Sequence, residues 1–233
     1  MAWRPGVRPT LLERYEALTA ARRRDADGRL RWLLLGALRD LATSEDVPLL
    51  IQATRTFEYM PQPLGEVGHG IRAEGLHRLL EVDPDLARWR AVEMLKDGDD
   101  NPVSGEPART ALRVLGSAGE QTLLYAIALD NPYGLLPAAR AEALLWLDGL
   151  PEDRLQTVVQ RFLEDDEPNL LLAVIDLAVE KPGGWLEEAL VKALLATPNV
   201  DVLRYAVLQA TARHRAKLVE ALQGRLDATA SSD

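Results

Sequence analysis

The side chains that most often bind metals or move protons are scarce in this chain. It has no cysteine, which excludes disulfides, thiolate metal sites and cysteine nucleophiles together. Its three histidines, His69, His77 and His214, stand at no i, i+3 or i, i+4 spacing, so no pair shares a helix face as a metal site would need. There is no glycine loop ending in Lys-Ser/Thr to cradle a phosphate, and no Gly-x-Ser-x-Gly nucleophile elbow. The run Asp97-Gly98-Asp99-Asp100-Asn101-Pro102 starts like a calcium loop, with oxygen ligands at alternate positions. It then places Pro102 where the sharp turn needs glycine and Ala108 where a bidentate glutamate belongs, so it reads as a capped turn. Glu164-Asp165-Asp166-Glu167 reads as a solvated acidic turn. No catalytic residue, metal or cofactor is expected.

Recognition is better served. Tyr59-Met60-Pro61-Gln62-Pro63-Leu64-Gly65-Glu66-Val67-Gly68-His69-Gly70 mixes aromatic, imidazole, glycine and proline residues in one long loop. Loops of that length in compact domains are usually functional or disordered. The rival reading is a passive loop that packs Leu64 and Val67 onto the next helix. The five tryptophans, Trp3, Trp32, Trp89, Trp146 and Trp185, fall in different registers on different segments. Inter-helix packing is the expectation for most of them, rather than a base-stacking platform. Arg22-Arg23-Arg24 and Arg213-His214-Arg215 with Lys217 read as helix-end charges that complement C-terminal dipoles.

These residues must be held by helices. Apolar residues recur at i, i+3, i+4 and i+7 nearly throughout, and no stretch alternates as a strand does. The pattern predicts an opening helix over 9–23 and then pairs at 29–42 and 46–58, 70–82 and 84–96, 106–116 and 118–129, 137–148 and 151–164, 168–180 and 184–196, and 200–212 and about 214–227. Start signals support these bounds: Thr43 or Ser44 with Pro48, Asp83-Pro84, and the capping-box pattern of Ser117 with Glu120 after Gly116. The break inside the last pair is unmarked by glycine or proline. No sheet is expected.

The pairs resemble one another. Asp100-Asn101-Pro102, Pro107-Ala108-Arg109 and Ala111-Leu112 return as Asp130-Asn131-Pro132, Pro137-Ala138 with Arg140, and Ala143-Leu144. Small residues before the central apolar position of each first helix fall at Gly75, Ala111, Ala143, Ala173 and Ala206, and prolines opening these helices or their preceding turns at Pro102, Pro132, Pro168 and Pro198. Both series keep a period of roughly 30–37 residues, the mark of an array whose units bury their apolar faces against neighbours. Segments such as Ala108-Arg109-Thr110-Ala111-Leu112-Arg113-Val114-Leu115-Gly116 resemble HEAT repeats of the short bacterial type, over roughly 28–227. The resemblance implies an all-α fold, a right-handed armadillo-like α-solenoid of stacked antiparallel helix pairs. It would form one domain: a capping helix over 9–27, about six repeats over 28–227 and a disordered tail over 228–233.

Such a solenoid implies a non-enzymatic scaffold that binds a protein or peptide along its second helices. Arg55, Tyr59, His69, Arg88, Tyr125 and Gln160 are the expected partner contacts, with Tyr and Arg as anchors. Relatives of the same type include alkylpurine DNA glycosylases and bilin lyases, which are the alternative readings. Charge opposes the first. Residues 43–200 carry 13 basic and 27 acidic residues, while 1–42 hold nine arginines against five acids. An acidic body repels phosphate backbones, so nucleic acid is not the expected partner. The start of the chain lacks a signal-peptide core, and the longest clean apolar run, Leu123 to Leu129, is far below the roughly 20 residues of a membrane helix. A cytoplasmic location without membrane attachment is therefore expected.

Overall fold

The structure is a computed structural model that describes residues 6–60, 65–98, 101–147, 149–165, 167–181, 184–216 and 218–223. Trp3, Leu64, Asp99, Asp100, Asp166, Lys217 and the 228–233 tail lie outside the described residues. The chain divides into two compact units, Met1–Glu120 with Tyr133–Ala139, and Gln121–Pro132 with Arg140–Asp233. Both are helical.

In the first unit α1 (Val7–Ala20) is followed by a 3-10 turn at Arg22–Arg24, then by α2 (Arg29–Ala37). A second 3-10 turn, Ser44–Asp46, runs into α3 (Val47–Thr54). Thr43 and Asp46 form a reciprocal capping box, and Arg8 of α1 grips the Asp46 carboxylate at 2.9 and 2.6 Å. Next come β1 (Tyr59–Met60), β2 (Gly65–Glu66), α4 (His69–Val82), α5 (Pro84–Met94) and α6 (Ala108–Ser117). Asp83 caps α5 by accepting from the Leu86 N–H at 3.0 Å, with Pro84 in the first position. The second unit holds α7 (Gln121–Asp130), most of α8 (Pro137–Leu145), α9 (Glu152–Leu163), α10 (Pro168–Glu180), α11 (Trp185–Ala196) and α12 (Val200–Ala212). Residues 218–223 are helical again.

Packing is local. Every substantial helix contact joins elements at most two apart in chain order: α2 meets α4 and α4 meets α6 in one unit, and α7 meets α9, α9 meets α11 and α10 meets α12 in the other. The small-residue series marks the close approaches. Gly75, Ala111, Ala143, Ala173 and Ala206 are all buried, and a Cβ at Gly75 would stand 2.8 Å from the Ala53 Cβ of α3. Around them lie Leu50, Leu76, Leu79, Leu112 and Leu115 in the first unit, and Phe162, Val174, Ile175, Leu190 and Leu203 in the second.

Arginines close helix C-termini across consecutive pairs. Arg90 of α5 donates to the Thr54 hydroxyl and carbonyl at the end of α3, both at 2.9 Å and 36 residues back. Arg215 donates twice to the Val179 carbonyl at the end of α10, at 3.0 and 2.6 Å, again 36 residues back. Arg140 reaches the Ala128 carbonyl near the end of α7 at 2.9 Å while its guanidinium lies 4.8 Å above the Phe162 ring. Each supplies donors to carbonyls that have no partner within their own helix.

Several expectations need correcting. The protein is not wholly without strands: Tyr59 pairs with Glu66 and Met60 with Gly65 in a two-residue antiparallel ladder. His69 is not a loop residue but opens α4. Ser117 and Glu120 form no capping box. Ser117 is the last residue of α6 and donates back to Val114, while Gly119 takes φ +76°, and the N–H of Glu120 reaches the Leu115 carbonyl at 3.0 Å. That is a glycine C-cap, which a Ser-x-Gly-Glu string also permits. Helices α2 and α3 stop earlier than the periodicity extends. Asp40 enters the left-handed region at φ 60° after α2, and Thr54 and Thr56 turn their hydroxyls back onto α3 carbonyls as the chain leaves for the ladder. The unmarked last turn is made by His214 at φ 56°. Finally, Trp89 is 68% exposed, so packing does not account for it, whereas Trp32, 43% exposed, packs only in part, against Gly70.

Candidate functional site

Two surfaces carry the residues that sequence reasoning selects. The first surrounds the long loop. Arg31 of α2 is fully buried, with its Nε 2.8 Å from Asp25 and both terminal nitrogens on Glu58, at 2.5 and 2.6 Å. Glu58 precedes β1, so this ion pair fixes where the ladder leaves the helices. Glu66 of β2 closes the loop from the other side. Its Oε1 accepts from the N–H groups of Glu58 and Gly68, at 3.1 and 2.6 Å, and its Oε2 meets His69 Nε2 at 3.0 Å and Arg72 Nη1 at 3.1 Å. Gly68 is required here, because a Cβ would lie 2.6 Å from the Thr56 carbonyl oxygen. Arg72 also donates to that carbonyl at 3.2 Å and covers the Phe57 ring at 4.1 Å.

Aromatic side chains surround this polar knot. Tyr59 is 65% exposed, Phe57 is partly exposed, and Trp32 leans on α4, where a Cβ at Gly70 would stand 3.4 Å from its ring. Among the predicted contacts, Tyr59 thus presents its ring to solvent, whereas His69 is turned into the Glu66 pair. Arg55 is exposed at the end of α3, and Arg88 lies on α5, 3.4 Å from Glu120. Sequence reasoning passed over Glu66, Arg72 and Trp32. The signal for them was present: a Glu, a His and an Arg at i, i+3 and i+6 across the predicted helix start.

The second surface belongs to the other unit. Helices α9 and α11 flank an open trough of about 490 Å³. Its floor is Val159, Leu163, Ala189, Ala193 and Ala196, Trp185 stands at one end, and Gln156, Gln160, Glu164 and Lys192 form the rims. Leu163, Ala193 and Ala196 are shared with a further hollow of about 480 Å³ that runs past Glu167, Leu171 and Val202. Gln160 bonds Glu164 at 3.0 Å on the α9 rim, and Tyr125 lies on α7. Tyr125 and Gln160 therefore sit in a different unit from Arg55, Tyr59, His69 and Arg88.

Among the described residues no three His, Asp or Glu side chains converge as a metal site. No described helix is long and apolar enough to cross a membrane. No protein-family model matches the chain, and neither does a curated protein or a solved structure.

Proposed function

We propose that the protein is a non-enzymatic interaction module, a HEAT-like solenoid that docks a protein or peptide on its second helices. The observation that carries this reading is the α9–α11 trough. Three alanines on α11 keep the apolar floor low between α9 and α11, where it stands open to solvent. The repeat reading draws support from local packing, the buried small-residue series, and two arginine clamps that each reach back 36 residues. An exposed apolar trough rimmed by polar residues is what recognition of an extended or helical segment needs.

The test is partner capture from a native extract by the immobilised protein. Wild-type protein should retain a defined partner that Ala193→Arg loses, with the circular dichroism spectrum unchanged. Capture that survives Ala193→Arg intact would move the function off this face.

A further inference from the structure

Resting on that reading, the occupant of the trough can be specified by its chemistry. We propose that the α9–α11 trough takes a cationic amphipathic helix of a partner protein. Shape comes first. Ala189, Ala193 and Ala196 fall at i, i+4 and i+7 on α11, so they line one face and let another backbone approach closely. Opposite them, Val159 and Leu163 form the matching ridge on α9. From Trp185 to Ala196 the floor runs about 16 Å, three turns of a docked helix at 1.5 Å per residue. A helix reads such a floor with apolar side chains at the same i, i+3, i+4 and i+7 spacing. Trp185, half-buried at the end, offers the large flat wall against which an anchor residue packs.

Charge chooses the polar face. The second unit holds 17 acidic and 10 basic residues, which is −7 of the chain's −9. Along the trough, Glu164 and Glu167 are exposed and have no ion pair among the described residues. Asp165 is partly offset by Arg140 at 3.3 Å, and among the described residues Lys192 is the one cation on the trough lining. On the outer side of α9, Asp130 lies beside Arg161, and Asp153 is offset by Arg154 at 3.9 Å. A helix with leucines inward and lysines outward satisfies the floor and the rims together, and its approach is steered by the field of the unit.

The experiment uses the full chain and two fluorescein-labelled peptides of about 15 residues, long enough for more than three helical turns. Both carry leucine at the i, i+3, i+4 and i+7 positions; one has lysine on its polar face, the other glutamate. Anisotropy at about 0.15 M salt should show the lysine peptide bound at least about tenfold more tightly than its twin. Ala193→Arg should weaken it about tenfold, and so should the pair Glu164→Lys, Glu167→Lys. Ala196→Arg, at an exposed position, serves if Ala193→Arg fails to fold. Equal binding of the two peptides, lysine-peptide binding that ignores the trough variants, or no binding would each overturn the proposal. So would a dimer that Ala193→Arg dissolves, since the occupant would then be a second copy. An Ala193→Arg-sensitive preference for the glutamate peptide would overturn the charge assignment alone and leave the docking face standing.

Discussion

Arg31 shows how much a single residue decides here. Its guanidinium is enclosed by two carboxylates, and the Glu58 hydrogen bonds, ahead of those from Asp25, hold its proton more firmly than water would. Asp25 also accepts the Leu30 and Arg31 N–H groups at 2.8 and 3.1 Å, so the same carboxylate caps α2. Replacing Arg31 by Met leaves Asp25 buried without its cation and Glu58 with only the exposed Arg22 at 3.4 Å, and should cost about 3–5 kcal/mol in urea unfolding. His77 makes a pH-dependent counterpart. Burial, partly offset by Glu74, lowers its pKa below the ordinary imidazole value, with Arg78, Glu106 and Arg113 also facing it. The folded protein thus binds that proton more weakly than the unfolded chain. Its contribution to stability is complete above the usual histidine range and is lost as the pH falls through it. Between about pH 7 and pH 5 the Tm of His77→Gln should therefore fall less than that of the wild type. Neither role was legible from sequence. An arginine in an apolar stretch and a lone histidine on a helix carry no mark of burial until long-range partners such as Glu58, 27 residues away, are placed.

At the scale of elements, far more could be read in advance. Helices α4, α10 and α12 begin and end within a residue of where the apolar period and the prolines put them, because local signals and packing agree. The ladder at Tyr59 and Glu66 could not be read, since two residues per strand give no alternation to detect. Nor could the trough: three alanines at helical spacing look the same whether covered or open. Gly75 tests the packing that the small-residue series implied. An alanine there gains about 1 kcal/mol of helix propensity but drives its Cβ to 2.8 Å from Ala53 and to 3.2 Å from the Thr54 nitrogen. Overpacking typically costs about 1–3 kcal/mol, so Gly75→Ala should lower the urea midpoint rather than raise it. Gly119→Ala should do the same through strain at φ +76°, in open space where nothing else changes.

For the whole molecule, charge and clamp spacing matter most. With −7 of the net −9 in the second unit, duplex DNA meets repulsion along most of that surface. At about 0.15 M salt the complex should be no tighter than about 10⁻⁶ M, the strong end of non-specific binding, and a sequence-specific submicromolar shift would contradict the interaction-module reading. The clamps bear on how the chain is made. Because Arg90 closes the end of α3 from 36 residues downstream, the ribosome must deliver α4 and more than half of α5 before that end is finished. At synthesis rates of about 5–20 residues per second, the wait is about 2–7 s. The same holds for α10 and Arg215. During each wait the helix concerned is complete in sequence yet open at its end, and it is then that chaperones and proteases can reach it. Stalled nascent chains should show this directly: cleavage near Thr54–Thr56 should persist until Arg90 has emerged, and stop afterwards.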